Sequence, residues 1–178
     1  MTSSPLVVYT DGACAGNPGP GGWAWAVAPE GEPCGAGGEA RTTNQRMELA
    51  AVLEALRTLP GEPGSITVVS DSTYVVHCFR DRWWVKWKAN GWKNSKKEPV
   101  ANTDLWMPLV ELVQERTPTF RWVKGHSGDP MNDLVDRLAV VASAGPFATP
   151  AADVRPADPA TDPSTDPSTD PPGQSSLF

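Results

Sequence analysis

Four acidic residues occupy positions where an enzyme could gather carboxylates. Asp11 follows a predicted strand of β-branched and aromatic residues, and Asp71 follows a second such strand. Because adjacent parallel strands end at the same edge of a sheet, both side chains are expected to project into one crevice. Glu48 lies one turn into a predicted helix, and Asp136 lies near the start of the last one. We therefore predict that four separate segments bring these acids to one point.

Clustered carboxylates restrict the chemistry that such a site can perform. They cannot all stay ionised without compensating cations. Oxygen ligands without a Cys or His cluster favour Mg²⁺, with Mn²⁺ as a substitute. Two such ions about 4 Å apart stabilise the attacking water and the leaving oxygen in phosphodiester cleavage. His126, in a Gly-His-Ser-Gly loop, is suited to moving protons or assisting product release. The alternative is that each Asp only caps a strand end or a helix.

A basic, tryptophan-rich stretch follows the segment that contains Asp71. Between Arg80 and Lys97 there are seven Lys or Arg residues, one Asp and four of the eight tryptophans. Cations interleaved with flat aromatic rings suit a nucleic-acid backbone with its sugars and bases. The alternative is an amphipathic helix whose aromatic side belongs to the core. The net charge of −6 does not exclude a nucleic-acid partner, because the last 35 residues, with five Asp and one Arg, carry −4 of it.

Composition excludes several other classes of protein. No apolar run approaches the ~20 residues of a membrane span, and the first residues lack the basic segment of a signal peptide. The three cysteines form no metal-binding spacing. We therefore expect a reduced, cytoplasmic, nucleoid-associated protein that is a monomer and has no membrane partner.

Hydrophobic patterning predicts the order β-β-β-α-β-α-α-β-α. Three strands joined by tight connections predict an antiparallel meander, with a short third strand near Glu39–Arg41. Later strands alternate with helices, which predicts parallel pairing. Thr103 or Asp104 is expected to cap the third helix. The fold class is therefore α/β, a five-stranded mixed sheet with helices on both faces.

Several motifs in order resemble those of type 1 ribonuclease H. They are YTDG at 9–12, GNPGPGG at 16–22, RTTNQRMEL at 41–49, SDS at 70–72, the Trp87–Trp92 segment, and VKGHSG at 123–128 with Asn132 and Asp136. The resemblance implies a ribonuclease H-like catalytic domain over residues 1–144. It further implies a two-metal endonuclease that hydrolyses the RNA strand of RNA–DNA hybrids and leaves 3′-hydroxyl and 5′-phosphate ends.

The same resemblance implies roles for individual residues. Asp11, Glu48, Asp71 and Asp136 match the metal-binding acids, and His126 matches the loop histidine. Asp133 is a rival for the fourth acid, but the following Arg-Leu-Ala favours Asp136. The RNA-strand contacts, which sense 2′-hydroxyls, match Cys14, Asn17, Asn44, Gln45 and Glu48.

On the DNA strand, the family's phosphate pocket matches Arg41, Thr43 and Asn102, and Trp83 matches a sugar contact. The basic stretch resembles the family's hybrid-binding protrusion, to which Lys86, Lys88, Lys93, Lys96 and Lys97 belong. Ala89 and Asn90 stand where some relatives carry more positive charge. Binding is therefore expected to be weaker or more sensitive to salt.

The last part of the chain is unlike the rest. Residues 145–173 are rich in Pro and Asp, and the four-residue repeat at 162–172 lacks large apolar side chains, which predicts a disordered linker. Residues 174–178, with Gln174, Leu177 and Phe178, resemble the short peptide by which bacterial proteins dock on the replication sliding clamp.

Two rival functions stay open at this point. One is a non-catalytic hybrid-binding module, and the other is a different nuclease of the same fold. The sequence does not decide the preference between Mg²⁺ and Mn²⁺ or the cleavage site.

Overall fold

The computed structural model describes residues 4–146, which contain five strands and five helices. The peptide 174–178 and all but two residues of the predicted linker lie outside this range. The elements are β1 (Leu6–Cys14), β2 (Gly19–Val27), β3 (Cys34–Thr42), α1 (Asn44–Thr58), β4 (Ile66–Ser70), α2 (Thr73–Arg80), α3 (Trp83–Ala89), α4 (Thr103–Arg116), β5 (Thr119–Trp122) and α5 (Pro130–Ser143).

The strands form one mixed sheet in the order β3-β2-β1-β4-β5. β1, β2 and β3 pair antiparallel, whereas β1 pairs parallel with β4, and β4 pairs parallel with β5. This arrangement confirms the α/β class and the antiparallel meander. Two details of the prediction were wrong. β3 is a nine-residue strand rather than a short one, and the basic stretch contains an additional helix, α3.

Alternation along β1 assigns its side chains to two cores. Val8 belongs to the core on one face, which includes residues of α1, α2, α3 and α4. Tyr9 belongs to the smaller core on the other face, with Val135 and Ala139 of α5. Since successive strand residues point to opposite faces, Asp11 shares the α5 side with Tyr9.

Capping residues fix where the helices that carry candidate site residues begin. The side chains of Thr43, Ser72 and Asp129 accept hydrogen bonds from backbone N–H groups in the first turns of α1, α2 and α5. The predicted cap of α4 was wrong, because Asn102 holds that position in a left-handed conformation. No helix within residues 4–146 is long and apolar enough to cross a membrane.

Candidate active site

Asp11 and Asp71 lie side by side at one edge of the sheet. The last parallel pair of β1 and β4 joins Thr10 to Ser70, so the next residue of each strand is an aspartate. β1 itself does not end before Asp11, because its antiparallel pairing with β2 continues to Cys14. Asp11 is only 6% exposed, and the Gly12 N–H donates to its Oδ1 at 2.8 Å.

Glu48 approaches this edge from the first turns of α1. A Cβ on Gly12 would lie 2.4 Å from the backbone nitrogen of Glu48, so glycine is required for this approach. Both carboxylate oxygens of Glu48 accept hydrogen bonds, one from Asn44 Nδ2 (2.9 Å) and the other from Ser72 Oγ (2.6 Å). Burial, with a smaller contribution from the charge on Asp71, raises the pKa of Glu48 to about 7 despite these bonds.

α5 adds two polar residues to the site. Asn132 is 2% exposed, and its Nδ2 donates to Oδ2 of Asp71 at 3.3 Å. Asp136 lies one helical turn further along and is close enough for its charge to act on Asp11. Neither of these two interactions involves the rival Asp133, which is partly exposed in the first turn of α5.

The other three acids lie close enough to Asp11 for their charges to raise its pKa. Burial first, and then the charge of Asp71, raise the pKa of Asp11 to about 8. Glu48 and Asp136 act in the same direction, while the Gly12 N–H opposes them. None of the three ion pairs within residues 4–146 includes any of these four acids. The site therefore concentrates negative charge that no ion pair among the described residues balances.

The chemistry of this donor set fits hard divalent cations. All four side chains offer carboxylate oxygens, which Mg²⁺ and Mn²⁺ prefer. The buried Oδ1 of Asn132 has no hydrogen-bond donor within the described residues, so an unpaired polar acceptor also faces this part of the site. No three His, Cys, Asp or Glu side chains of residues 4–146 form a ready-made metal-binding group.

His126 lies on an exposed loop beside the acids. Its backbone is left-handed (φ 53°), and Gly128 follows with φ 87°. The loop is joined to the sheet where the Val123 N–H donates to the Ser70 carbonyl at 3.0 Å. The side chain is thus solvent-accessible on a segment that starts next to the end of β4, as general acid–base chemistry at this edge would require.

Besides Glu48, the four residues predicted to contact RNA surround the start of α1. Oδ1 of Asn17, in the turn between β1 and β2, accepts from the Asn44 N–H at 3.3 Å. Cys14 Sγ contacts the carbonyl oxygens of Gly19 and Thr42, and Gln45 is partly exposed. The amide of Asn44 thereby links this group to Glu48.

Of the three residues predicted to bind a DNA phosphate, two form hydrogen bonds with Arg46. Thr43 caps α1 through its Oγ1, which accepts from the Arg46 N–H. Asn102 Oδ1 accepts from Arg46 Nη1 at 3.4 Å, and the same guanidinium forms a bidentate pair with Asp104. Arg46 therefore fixes Asn102 beside the start of α1, whereas Arg41 is exposed. This pairing lowers the pKa of Asp104 and raises that of Arg46.

The basic stretch separates its aromatic and cationic side chains. Trp83 and Trp87 are 6% and 5% exposed and belong to the core, and Trp87 packs against Trp106 and Trp92. The alternative interpretation, an amphipathic helix with its aromatic side in the core, therefore describes α3. At 6% exposure, Trp83 has little surface accessible to a DNA sugar. The five lysines of the protrusion, Lys86, Lys88, Lys93, Lys96 and Lys97, are all exposed.

Comparison with known proteins decides the family. The model of the RNase H family matches residues 3–144. The chain belongs to the ribonuclease H family. A ribonuclease H of Syntrophomonas wolfei is 52% identical over 135 residues, which cover 75% of this chain and 92% of that relative. With relatives at this identity, the chain is a ribonuclease H enzyme, a nuclease of the hydrolase class.

Solved structures agree with this assignment. LC9-RNase H1, described as a type 1 RNase H with the type 2 active-site motif, superposes with a TM-score of 0.67 and 32% identity, over 81% of this chain and 74% of that one. A foamy viral protease-reverse transcriptase in complex with RNA/DNA hybrid matches with a TM-score of 0.67 and 23% identity, over 79% of this chain and 20% of that one. The second likeness concerns the fold alone.

Three contacts in this ribonuclease H site were absent from the residue predictions. Ser72 binds Glu48, Asn132 binds Asp71, and the Trp122 indole Nε1 donates to the Asp71 carbonyl at 3.0 Å. Ser72 and Asn132 stand in the motifs that carried the resemblance, so their positions could have suggested a role. Trp122 had no such signal beyond its place at the end of the last strand.

Gly125 offers a way to disturb Asp71 without removing it. A Cβ at this position would lie 2.7 Å from Oδ2 of Asp71. We expect Gly125→Ala to displace the carboxylate, which can rotate, and to lower kcat by about tenfold or more, since small misplacements of positioned groups are costly. The melting temperature should hardly change. Gly128→Ala is the matched control, because its φ of 87° strains the backbone while no atom lies within 4 Å. It should lower stability more than kcat, and the opposite ranking would contradict the prediction.

Proposed function

We propose that this chain is an endonuclease that hydrolyses the RNA strand of RNA–DNA hybrids with two divalent cations, Mg²⁺ in the first place. The observation that carries the proposal is the convergence of Asp71, Glu48 and Asp136 on the buried Asp11, where none of the four acids forms an ion pair within residues 4–146. Membership of the ribonuclease H family supports it.

The acids Asp11, Glu48, Asp71 and Asp136 would hold the cations. When bound, divalent cations polarise the phosphodiester and stabilise the attacking and leaving oxygens. The protein's own contribution is orientation: Asn44 and Ser72 fix both oxygens of Glu48, and Asn132 fixes Asp71. His126, exposed on its loop, would accept or deliver the proton of the departing product.

Discrimination of RNA from DNA is assigned to the polar groups at the start of α1. A 2′-hydroxyl both donates and accepts a hydrogen bond. Asn17, Asn44, Gln45 and Glu48 offer amide and carboxylate groups of both kinds, and Cys14 lies beside them. On the other strand, Arg41, Thr43 and Asn102 would bind a phosphate, and Trp83 would contact a sugar.

The end groups of the products test the reaction type. A hybrid with labelled RNA, cut in Mg²⁺, should give fragments whose 3′ ends a polymerase can extend and whose 5′ phosphates a phosphatase removes. Chelation of Mg²⁺ should abolish cutting. A 2′,3′-cyclic phosphate product would contradict the proposal, because it arises from attack by the RNA's own hydroxyl rather than by water.

Exposed lysines of the protrusion are expected to set the salt dependence of binding. Each lysine that neutralises a phosphate contributes about one unit to the slope of log K against log salt concentration. We therefore expect Lys93→Ala or Lys96→Ala to weaken hybrid binding and to flatten this slope by about one unit. Arg57→Ala, which removes a cation near the far end of α1, should leave the slope unchanged. Equal slopes for the lysine variants and the wild type would contradict this role.

We also propose that the peptide 174–178 docks on the replication sliding clamp. Its Gln174 can supply a hydrogen bond, and Leu177 with Phe178 can fill an apolar pocket. Deletion of 174–178 should abolish binding of the full chain to a bacterial clamp on a sensor surface, and so should Leu177→Ala with Phe178→Ala, while hybrid cleavage is unchanged. Absence of clamp binding by the intact chain would contradict the proposal.

We also propose that the chain is a monomer, which light scattering on the same preparation would test.

A further inference from the structure

Tyr9 and Asp129 join the sheet to the last helix. They are 120 residues apart in sequence, and the Tyr9 hydroxyl donates to Oδ2 of Asp129 at 3.0 Å. The Tyr9 ring is 7% exposed and packs in the core between the sheet and α5. Arg121 of β5 lies within electrostatic range of the same hydroxyl. The hydrogen bond is therefore partly buried, with its ring end held in the core.

The other oxygen of the same carboxylate begins α5. Oδ1 of Asp129 accepts from the backbone N–H groups of Met131 (3.0 Å) and Asn132 (3.2 Å). One side chain thus caps the helix and ties that cap to β1. Since a carboxylate has two oxygens, neither bond competes with the other.

Both ends of this connection carry residues of the candidate active site. Tyr9 precedes Asp11 by two residues and lies on the same face of β1. The capped turn carries Asn132, which donates to Asp71, and Asp136 follows one turn later. His126 lies three residues before Asp129, so the connection also fixes the end of its loop.

We propose that Tyr9 and Asp129 are positioning residues: their hydrogen bond holds the start of α5 against β1, and so holds Asn132 on Asp71 and Asp136 beside Asp11. The inference rests on the proposed function for its kinetic readout. The fold itself does not need the hydroxyl, because a phenylalanine ring would fill the same core and Asp129 would still cap the helix. What the hydroxyl adds is a fixed direction between the strand and the helix.

The chain offers a matched control for removal of one tyrosine hydroxyl. The Tyr74 hydroxyl accepts a hydrogen bond from Trp106 Nε1 at 2.8 Å, in the core on the other face of the sheet. Tyr9→Phe and Tyr74→Phe therefore delete the same group from two partly buried hydrogen bonds, of which the Tyr9 bond joins β1 to the capped turn of α5.

Steady-state cleavage of a hybrid and calorimetric titration of the free protein with Mg²⁺ test the proposal. For Tyr9→Phe we expect a kcat about five- to tenfold lower and a similarly weakened Mg²⁺ affinity, at the low end for outer-shell partners of a metal site. The KM for hybrid should stay within about twofold, because ground-state binding uses other surfaces. Asp129→Ser, whose one hydroxyl can cap the helix but leaves no second group for Tyr9, should behave in the same way. Tyr74→Phe should leave kcat and Mg²⁺ affinity at wild-type values.

The outcomes separate this inference from the proposed function. If the wild type cleaves hybrid and Tyr9→Phe matches Tyr74→Phe in both kcat and Mg²⁺ affinity, the positioning role is wrong. If the wild type binds Mg²⁺ but cleaves no hybrid, the proposed function is wrong, and a fivefold loss of Mg²⁺ affinity in Tyr9→Phe alone would still support the positioning role.

Discussion

Replacement of Asp71 by Asn is expected to lower the rate of hybrid cleavage by at least about 10³-fold. This carboxylate would help to hold the cations, and the cations supply several kcal/mol of transition-state stabilisation. The fold should survive, since the amide has the same shape and its oxygen can still accept from Asn132 Nδ2. Single-turnover cleavage in Mg²⁺ measures the rate, and hybrid binding without divalent cations checks that the substrate surface is intact.

Asp133→Asn is the matched control for this variant. It makes the same change from acid to amide at the rival position in the first turn of α5, where the side chain is partly exposed. Its cleavage rate should stay close to that of the wild type. A rate for Asp71→Asn within tenfold of the wild type, or a larger loss in Asp133→Asn, would contradict the assignment of the acids.

Asp11→Asn is expected to abolish cleavage and, at the same time, to stabilise the metal-free protein at alkaline pH. In the folded chain the pKa of Asp11 is raised to about 8 from its ordinary value of 3.8. The unfolded chain therefore releases this proton near pH 4, whereas the folded chain keeps it until about pH 8. Because the folded state binds more protons in this window, stability falls as the pH rises through it.

Urea unfolding in EDTA at pH 5.5 and pH 8 measures this effect. At about 1.4 kcal/mol per pH unit, the free energy of unfolding of the wild type should fall by on the order of 3 kcal/mol from this residue. Asp11→Asn should remove that part of the fall, and Asp133→Asn should not. Addition of Mg²⁺ at pH 8 should restore stability to the wild type and add little to Asp11→Asn. Parallel pH curves for the wild type and Asp11→Asn would contradict the raised pKa.

Much of the site could be predicted because its positions follow from local rules. Asp11 and Asp71 each come directly after the last residue pair of two adjacent parallel strands. The strand pattern of the sequence is enough to predict this placement. Asp136 was harder: Asp133 lies one turn earlier on the same helix, and only the order of the surrounding motif favoured the later residue.

The rest depends on tertiary packing that a pattern of residue types does not specify. Interleaved Trp and Lys residues suit both a binding surface and a core helix, and only the packing of Trp87 on Trp106 puts the rings inside. The length of β3 was underestimated because CGAGGEART, with its three glycines among nine residues, lacks the β-branched pattern of a strand. Likewise, the hydrogen bond between Tyr9 and Asp129 joins residues that are 120 positions apart in the sequence, which no local pattern predicts.

A cleavage assay on a panel of substrates tests the central claim most directly. A labelled RNA–DNA hybrid, duplex DNA, duplex RNA and single-stranded RNA of one sequence are incubated with the full chain in Mg²⁺ and in Mn²⁺. We predict cutting of the RNA strand of the hybrid alone. Cutting of duplex DNA would assign the chain to another nuclease activity of the same fold. Tight hybrid binding without cutting in either metal would contradict catalysis and leave a hybrid-binding module.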